Sequence, residues 1–205
     1  MKKTFILTMS IMKKGYLKEI NYICNGNTSL NFDAKTCFPS IPLIAAYASK
    51  DDDINLVVIK IKDDKIDSDA NLEKFDEELS ALNKKLETNI KINKIIEVPY
   101  NENKNTHIEL LSKLINVFDG GKLYCDITYG TKPMPIIMIT ALNYAEKVKD
   151  CDVDTIVYGQ YSHDGSDKGE LFDVTALYHI NSVINTAAMF GGQNVEEIVK
   201  TLLKI

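Results

Sequence analysis

The chain has 205 residues, 45% of them apolar and 26% charged, with a formal net charge of -5. That is enough material for one domain with a small appendage and a proper core. An acidic balance argues against a broad basic surface for long nucleic acids, and the absence of any arginine removes bidentate guanidinium clamps for phosphate.

The four cysteines, Cys24, Cys37, Cys125 and Cys151, make no CxxC or other metal pattern, so neither a metal nor a cofactor is expected. The basic start is followed by too short an apolar run for a signal peptide, and no stretch is long enough to cross a membrane. A reducing cytoplasm is the expected location.

Residues 4–10, "TFILTMS", form an apolar run bounded by charge and predict a buried strand. Asn25-Gly26 between two strand-like runs predicts a hairpin. "SIPLIAAYAS" predicts a short helix with Ser40 near its start and Pro42 in the first turn. The acidic "DDD" at Asp51, Asp52 and Asp53 reads as a solvated turn.

A second buried strand is predicted over residues 54–61. A long amphipathic helix follows, with Leu72, Phe75, Leu79, Leu82 and Leu86 on one stripe. Next come a strand over 92–100, a helix ending at Gly120-Gly121, and a fourth core strand, "KLYCDIT". "PMPIIMITALNYAEKV" predicts the helix after it. "VDTIVYGQY" and "GELFDVT" predict two more strands joined by the polar turn "SHDGSDK". The remainder, 176–205, is predicted helical with a break at Gly191-Gly192. Its stripes, Ile180, Val183, Ile184 and Ala187, then Val195, Ile198, Val199, Leu202 and Leu203, suggest packing or dimerisation.

Strands alternating with helices of crossover length predict an α/β fold: a mostly parallel sheet with helices on both faces, a terminal β-hairpin at one edge, and C-terminal helices. In such sheets ligands sit at the carboxyl ends of the strands, near a switch in strand order. Two loops qualify, one around residues 10–15 and one at residues 128–132.

The second loop, "DITYGTKPMP", carries the chemistry. Asp126 inside a core strand needs partners, and the donors of the following loop are nearest. It either braces that loop or takes part in function. Gly130 permits a tight turn and close ligand approach. Lys132 is expected to cap the next helix, with Pro133 at N1 and Pro135 at N3, which deletes two amides from the anion-binding end. The remaining donors are the amides of Gly130, Thr131, Lys132 and Met134, the hydroxyls of Thr128 and Thr131, and the Lys132 ammonium. They suit one or two phosphates rather than a triphosphate. The loop fits neither GxxxxGK[ST] nor GxGxxG. The bland reading is a tight turn with its lysine in solvent.

"DITYGTKPM" resembles the D-x-T-x-G-T-K-x-M signature of the CRISPR-associated Rossmann-fold (CARF) domain, a sensor of cyclic oligoadenylates in type III CRISPR defence. The resemblance spans roughly residues 2–175 as a Rossmann-like sensing domain. Residues 176–205 would be a helical extension or the start of an output domain. Tyr129 departs from the family, where a small residue or histidine is frequent.

The resemblance implies a homodimer with the ligand across its two-fold axis; the acidic charge and the lack of a long apolar stretch already argue against long nucleic acid or a membrane as partner. Each subunit would contribute Ser10, Ile11, Met12, Lys13 and Lys14 from the first loop, and Thr128, Tyr129, Gly130, Thr131 and Lys132 from the second. Met12, Tyr129, Met134 and Tyr161 are candidate walls for the bases. Cyclic tetra-adenylate is the favoured ligand and hexa-adenylate the alternative.

Some relatives cleave the ring by 2'-hydroxyl attack, leaving a 2',3'-cyclic phosphate. Here Lys132 with Ser10 or Thr131 would be the metal-free catalytic set. His107, His163 and His179 are not placed as a base. The lack of arginine excludes the R-x(4-6)-H motif of a common output RNase. The remaining alternative is an unrelated Rossmann-type enzyme acting on a small nucleotide.

Overall fold

The computed structural model describes residues 1–13, 15–64, 66–161, 167–189 and 195–203, with the side chains of 202 and 203 excepted. Lys14, His163, most of the "SHDGSDK" turn and the Gly191-Gly192 break lie outside the described residues. The chain divides into two compact units, Met1–Asp173 and Val174–Ile205.

The first unit is a Rossmann-like α/β fold built on one seven-stranded sheet. In chain order the strands are β1 (Lys2–Thr8), β2 (Asn21–Ile23), β3 (Asp53–Lys62), β4 (Ile92–Pro99), β5 (Gly121–Asp126), β6 (Cys151–Tyr161) and β7 (Lys168–Asp173). The helices of this unit are α1 (Ser40–Tyr47), α2 (Ser68–Leu86), α3 (Lys104–Ile115) and α4 (Met134–Val148). The spatial order is β2-β7-β6-β5-β1-β3-β4. Every neighbouring pair is parallel except β6 with β7.

Central strands are apolar on both faces because both faces are covered. Thus Leu56 to Ile61 are buried without alternation, whereas the edge strand β4 buries only part of its length. The α2 stripe buries Phe75, Leu79 and Leu82 against the sheet. Beside them Tyr124 stacks between Phe5, its register partner on β1, and Tyr47 of α1, with ring centroids 4.7 and 4.9 Å away. Such aromatic pairs stabilise by roughly 0.5–1.5 kcal/mol beyond their burial. Helices α1 and α2 share this core, and α3 and α4 pack together on the opposite side.

Three expectations are corrected. The predicted hairpin at Asn25-Gly26 does not form. Asn31 Oδ1 accepts the Cys24 amide at 2.8 Å, and the second strand-like run curls into a 3-10 turn at Thr28–Leu30. These local side-chain bonds outcompete a returning strand. β2 pairs instead in parallel with β7. Consequently the antiparallel β6–β7 pair is not the edge of the sheet, because β2 covers β7. Finally, "DDD" is not merely solvated. The Asp52 side chain is 7% exposed and holds the Met1 ammonium at 3.1 Å and Lys3 at 2.6 Å. Burial pushes its carboxyl up, but these two cations outweigh that and leave it below the ordinary range.

The second unit contains α5 (Thr175–Met189) and α6 (Val195–Leu203). Among its described stripe residues, Val183 and Ile198 stay exposed. No helix among the described residues is long and apolar enough to cross a membrane.

Candidate functional site

The strand order reverses about β1. After the excursion to β2 at the far edge, the chain lays β3 and β4 outward on one flank of β1, then returns to place β5 on the other. The loops leaving β1 and β5 therefore diverge over a crevice at the carboxyl ends of the strands, where sheets of this kind bind ligands. A cleft of about 460 Å³ opens there. Its walls are Ser10, Ile11 and Met12 from the first loop, Thr128, Tyr129 and Gly130 from the second, and Tyr158, Gly159, Gln160 and Tyr161 from the end of β6.

The first loop is held from below. Asn71, in the first turn of α2 and itself buried, donates through Nδ2 to the carbonyls of Ser10 and Met12, both at 2.8 Å. The Ser10 hydroxyl accepts the Met12 amide at 3.2 Å. The sequence gives no sign of this clamp, because a lone Asn inside an amphipathic helix looks like any other polar position. Gln160 and Gly159 are equally inconspicuous.

The second loop is built around Asp126. Its Oδ1 accepts the Thr128 amide at 2.9 Å and also the Thr128 hydroxyl. The same hydroxyl oxygen accepts the Gly159 amide at 2.8 Å. Asp126 is therefore a brace, tying its own loop to the end of β6. The proton of Thr128 is committed to the carboxylate, so this hydroxyl has no donor left for a phosphate. Burial raises the Asp126 carboxyl from 3.8 to about 6, and the amide and hydroxyl of Thr128 offset only part of that cost. Among the described residues, Ser40 Oγ is the buried side-chain polar atom without a hydrogen-bond partner.

Glycine is required at two points of this wall. Gly130 has φ +105°, and a Cβ there would lie 2.8 Å from Thr8 Cγ2 and 3.0 Å from Met134 Cγ. A Cβ on Gly159 would meet Pro39 Cγ at 2.3 Å. The loop thus passes within contact distance of the protein below it, and only backbone lines the cleft here.

Helix α4 starts one residue later than expected. Pro133 is the N-cap, in αR geometry, and Lys132 precedes it in a turn. Pro135 is accordingly in the first turn at N2, still a position where no amide is needed. The Met134 amide donates to the Thr131 carbonyl at 3.0 Å, and the Met134 side chain is buried beneath Gly130. Neither faces the cleft. Lys132 is exposed, with no hydrogen bond or ion pair among the described residues, and Thr131 is half-buried. These two stand at the rim rather than on the cleft wall.

Tyr129 points inward. Its hydroxyl donates to the Cys37 carbonyl at 2.7 Å and its ring meets Phe38 edge-on at 6.2 Å. Burial holds the phenol well above its ordinary value, with Tyr22 and Asp126 pushing it the same way. Tyr129 is therefore a pin between the second loop and the segment before α1. Only part of its surface remains for a ligand.

Lys13 lies in a neighbouring cleft with Met12, Tyr16, Lys18 and Tyr161. His107 sits near the start of α3, beside Glu102 at 3.3 Å, and His179 is in α5. Neither lines the cleft at the switch point.

Elsewhere in the first unit Glu19, Cys37 and Glu78 come within metal-binding distance of one another. Lys74 already stands 3.2 Å from Glu19 and 4.0 Å from Glu78, and the Glu78 carboxylate accepts from Thr36 and the Cys37 amide. Burial and the neighbouring Glu78 push the Cys37 thiol to about 12. An ion there would have to displace the lysine and deprotonate a reluctant thiol. All four cysteines are free and buried.

Compared with known proteins, the chain matches no protein-family model and no curated protein.

Proposed function

We propose that this protein binds a cyclic oligoadenylate in the cleft between the β1 and β5 loops, as a homodimer around the ring, and thereby regulates type III CRISPR antiviral defence. Cyclic tetra-adenylate is the preferred ligand and cyclic hexa-adenylate the next candidate. The observation that carries the reading is the convergence of the two loops. Ser10, Ile11, Met12, Thr128, Tyr129, Gly130 and Tyr161, far apart in sequence, share one cleft at the switch in strand order.

Size supports a shared site. A cleft of about 460 Å³ suits one drug-sized ligand and falls well short of four linked nucleotides. One protomer would hold part of a ring, and a two-fold axis would supply an identical second part. Lys132 and Lys13, both exposed, would gather from two protomers in an otherwise acidic protein and concentrate positive potential at the phosphates.

The test is a thermal shift with cyclic tri-, tetra- and hexa-adenylate, repeated on Lys132→Ala. Ligand at a hundred times its Kd stabilises the folded state by about 2.7 kcal/mol, so the melting temperature should climb with concentration and respond less in the variant. No change with any ring refutes the proposal.

Cleavage is the second reading. The unpaired ammonium of Lys132 favours it, as a group able to stabilise charge on a phosphoryl oxygen. Thr131, half-buried at the rim, would then align the 2'-hydroxyl, whereas Ser10, fully buried with its hydroxyl accepting the Met12 amide, would act by shaping the first loop. Positioning without an acid-base pair is slow catalysis. A ring recovered intact after long incubation removes this reading and leaves the binding role untouched.

A further inference from the structure

We infer that Tyr16, with Met12 and Tyr161, forms the seat of a nucleotide base, beside the cleft that takes the phosphates. The inference rests on the nucleotide reading of that cleft and assigns the ligand's recognition to residues outside the loop signature.

Two of the expected base walls are committed elsewhere. Tyr129 is pinned to the Cys37 carbonyl and to Phe38, and Met134 is buried under Gly130. The apolar surface left for a base on the first cleft is chiefly that of Met12, Tyr158 and Tyr161. A second cleft, of about 530 Å³, is lined by Met12, Lys13, Tyr16, Lys18 and Tyr161. It shares Met12 and Tyr161 with the first, so the two adjoin across these side chains.

The chemistry of this second cleft is distinct. Its walls are two phenol rings and a thioether, which offer flat, polarisable surface to an aromatic heterocycle. The Tyr161 hydroxyl lies 3.7 Å from the Met12 sulfur, which fixes one wall across the mouth of the first cleft. The other wall is Tyr16, an aromatic side chain left 70% exposed. Its amide donates to the Lys13 carbonyl at 3.0 Å, and Gly15 before it has φ +89° with open space around it. A left-handed glycine thus turns the chain so that the ring stands beside the cleft. Lys13 and Lys18 flank the rings with positive charge. A base stacked there and a phosphate at the β1 and β5 loops would be met by adjoining surfaces, as in single-strand binding sites that pair aromatic platforms with lysines.

The selectivity that follows is for a large flat base, with stacking area favouring purine over pyrimidine. Isothermal titration with cyclic tetra-adenylate on wild type, Tyr16→Ala and Tyr16→Phe tests it. The exposure of Tyr16 makes both variants fold as wild type does, which circular dichroism checks. Stacking on one ring predicts a loss of roughly 5- to 150-fold in affinity for Tyr16→Ala, and a change under about threefold for Tyr16→Phe. If wild type binds and Tyr16→Ala binds within about twofold of it, the base seat is wrong while the nucleotide reading stands. If wild type binds no ring, both fall together.

Discussion

Replacing Asp126 by Asn removes one buried charge while retaining the Oδ1 that Thr128 bonds, and its effect depends on pH in a calculable way. The folded state raises this carboxyl from 3.8 to about 6. A raised value means that the native protein takes up the proton first. The stability it confers is complete below the unfolded value and is lost as pH rises through about 6. The rise corresponds to a span on the order of 3 kcal/mol, of which about 2 kcal/mol falls between roughly pH 4.5 and 7.5. Asp52, Asp69 and Glu97, held below their ordinary values, act in the opposite sense but are common to both proteins. The difference between wild type and Asp126→Asn isolates the one group. Urea denaturation followed by circular dichroism at pH 4.5, 5.5, 6.5 and 7.5 should show the variant gaining on wild type by about 2 kcal/mol across that range. A difference flat to within about 0.5 kcal/mol would refute the assignment of Asp126 as a buried, reluctantly charged brace.

Gly159→Ala should destabilise the protein by about 1–3 kcal/mol in the same assay, since its Cβ collides with Pro39 and β6 cannot retreat without breaking the Thr128 bond. Asn71→Ala should cost about 1–3 kcal/mol and weaken ligand binding at least as much, because two carbonyls of the first loop lose their donor; calorimetry of the variant with ring checks the second part. Tyr129→Phe should lower the urea midpoint by leaving the Cys37 carbonyl unpaired, yet change ring affinity less than about twofold; a large loss of affinity would mean that the hydroxyl contacts ligand.

The parts of this fold that are legible in the sequence are those governed by local pattern. The apolar run Leu56 to Ile59 of β3 and the period of α2 identify their elements directly. So does the Gly130 loop, because glycine and lysine between a strand and a helix have few uses. Partnership at a distance is not legible. Asn25-Gly26 has the composition of a hairpin turn, but the competing bond comes from Asn31 and the true strand partner lies on β7. Period-two alternation ends with β5, so nothing local announces that the Tyr129 ring turns inward. The start of α4 differs by one residue from its expected place because Lys132 before a proline looks like a cap, whereas Pro133 takes that position.

The pairing of β2 with β7 also sets a schedule for synthesis. Asn27 donates to the carboxylate of Asp173, 146 positions later, and among the described residues β7 is the strand that β2 pairs with. A chain emerging from the ribosome can pair β1 with β3, and β3 with β4, as soon as those segments appear. The β2 strand must wait for its sheet partner until nearly the whole first unit has been made, although Ile20 can already bridge Thr36 and Glu19 can already meet Lys74. Closing so long a loop is a late and slow step. Until then the apolar side chains of that stretch, Ile20, Tyr22 and Leu30 among them, are without their final cover, which makes the nascent chain a client for whatever shields hydrophobic segments during translation.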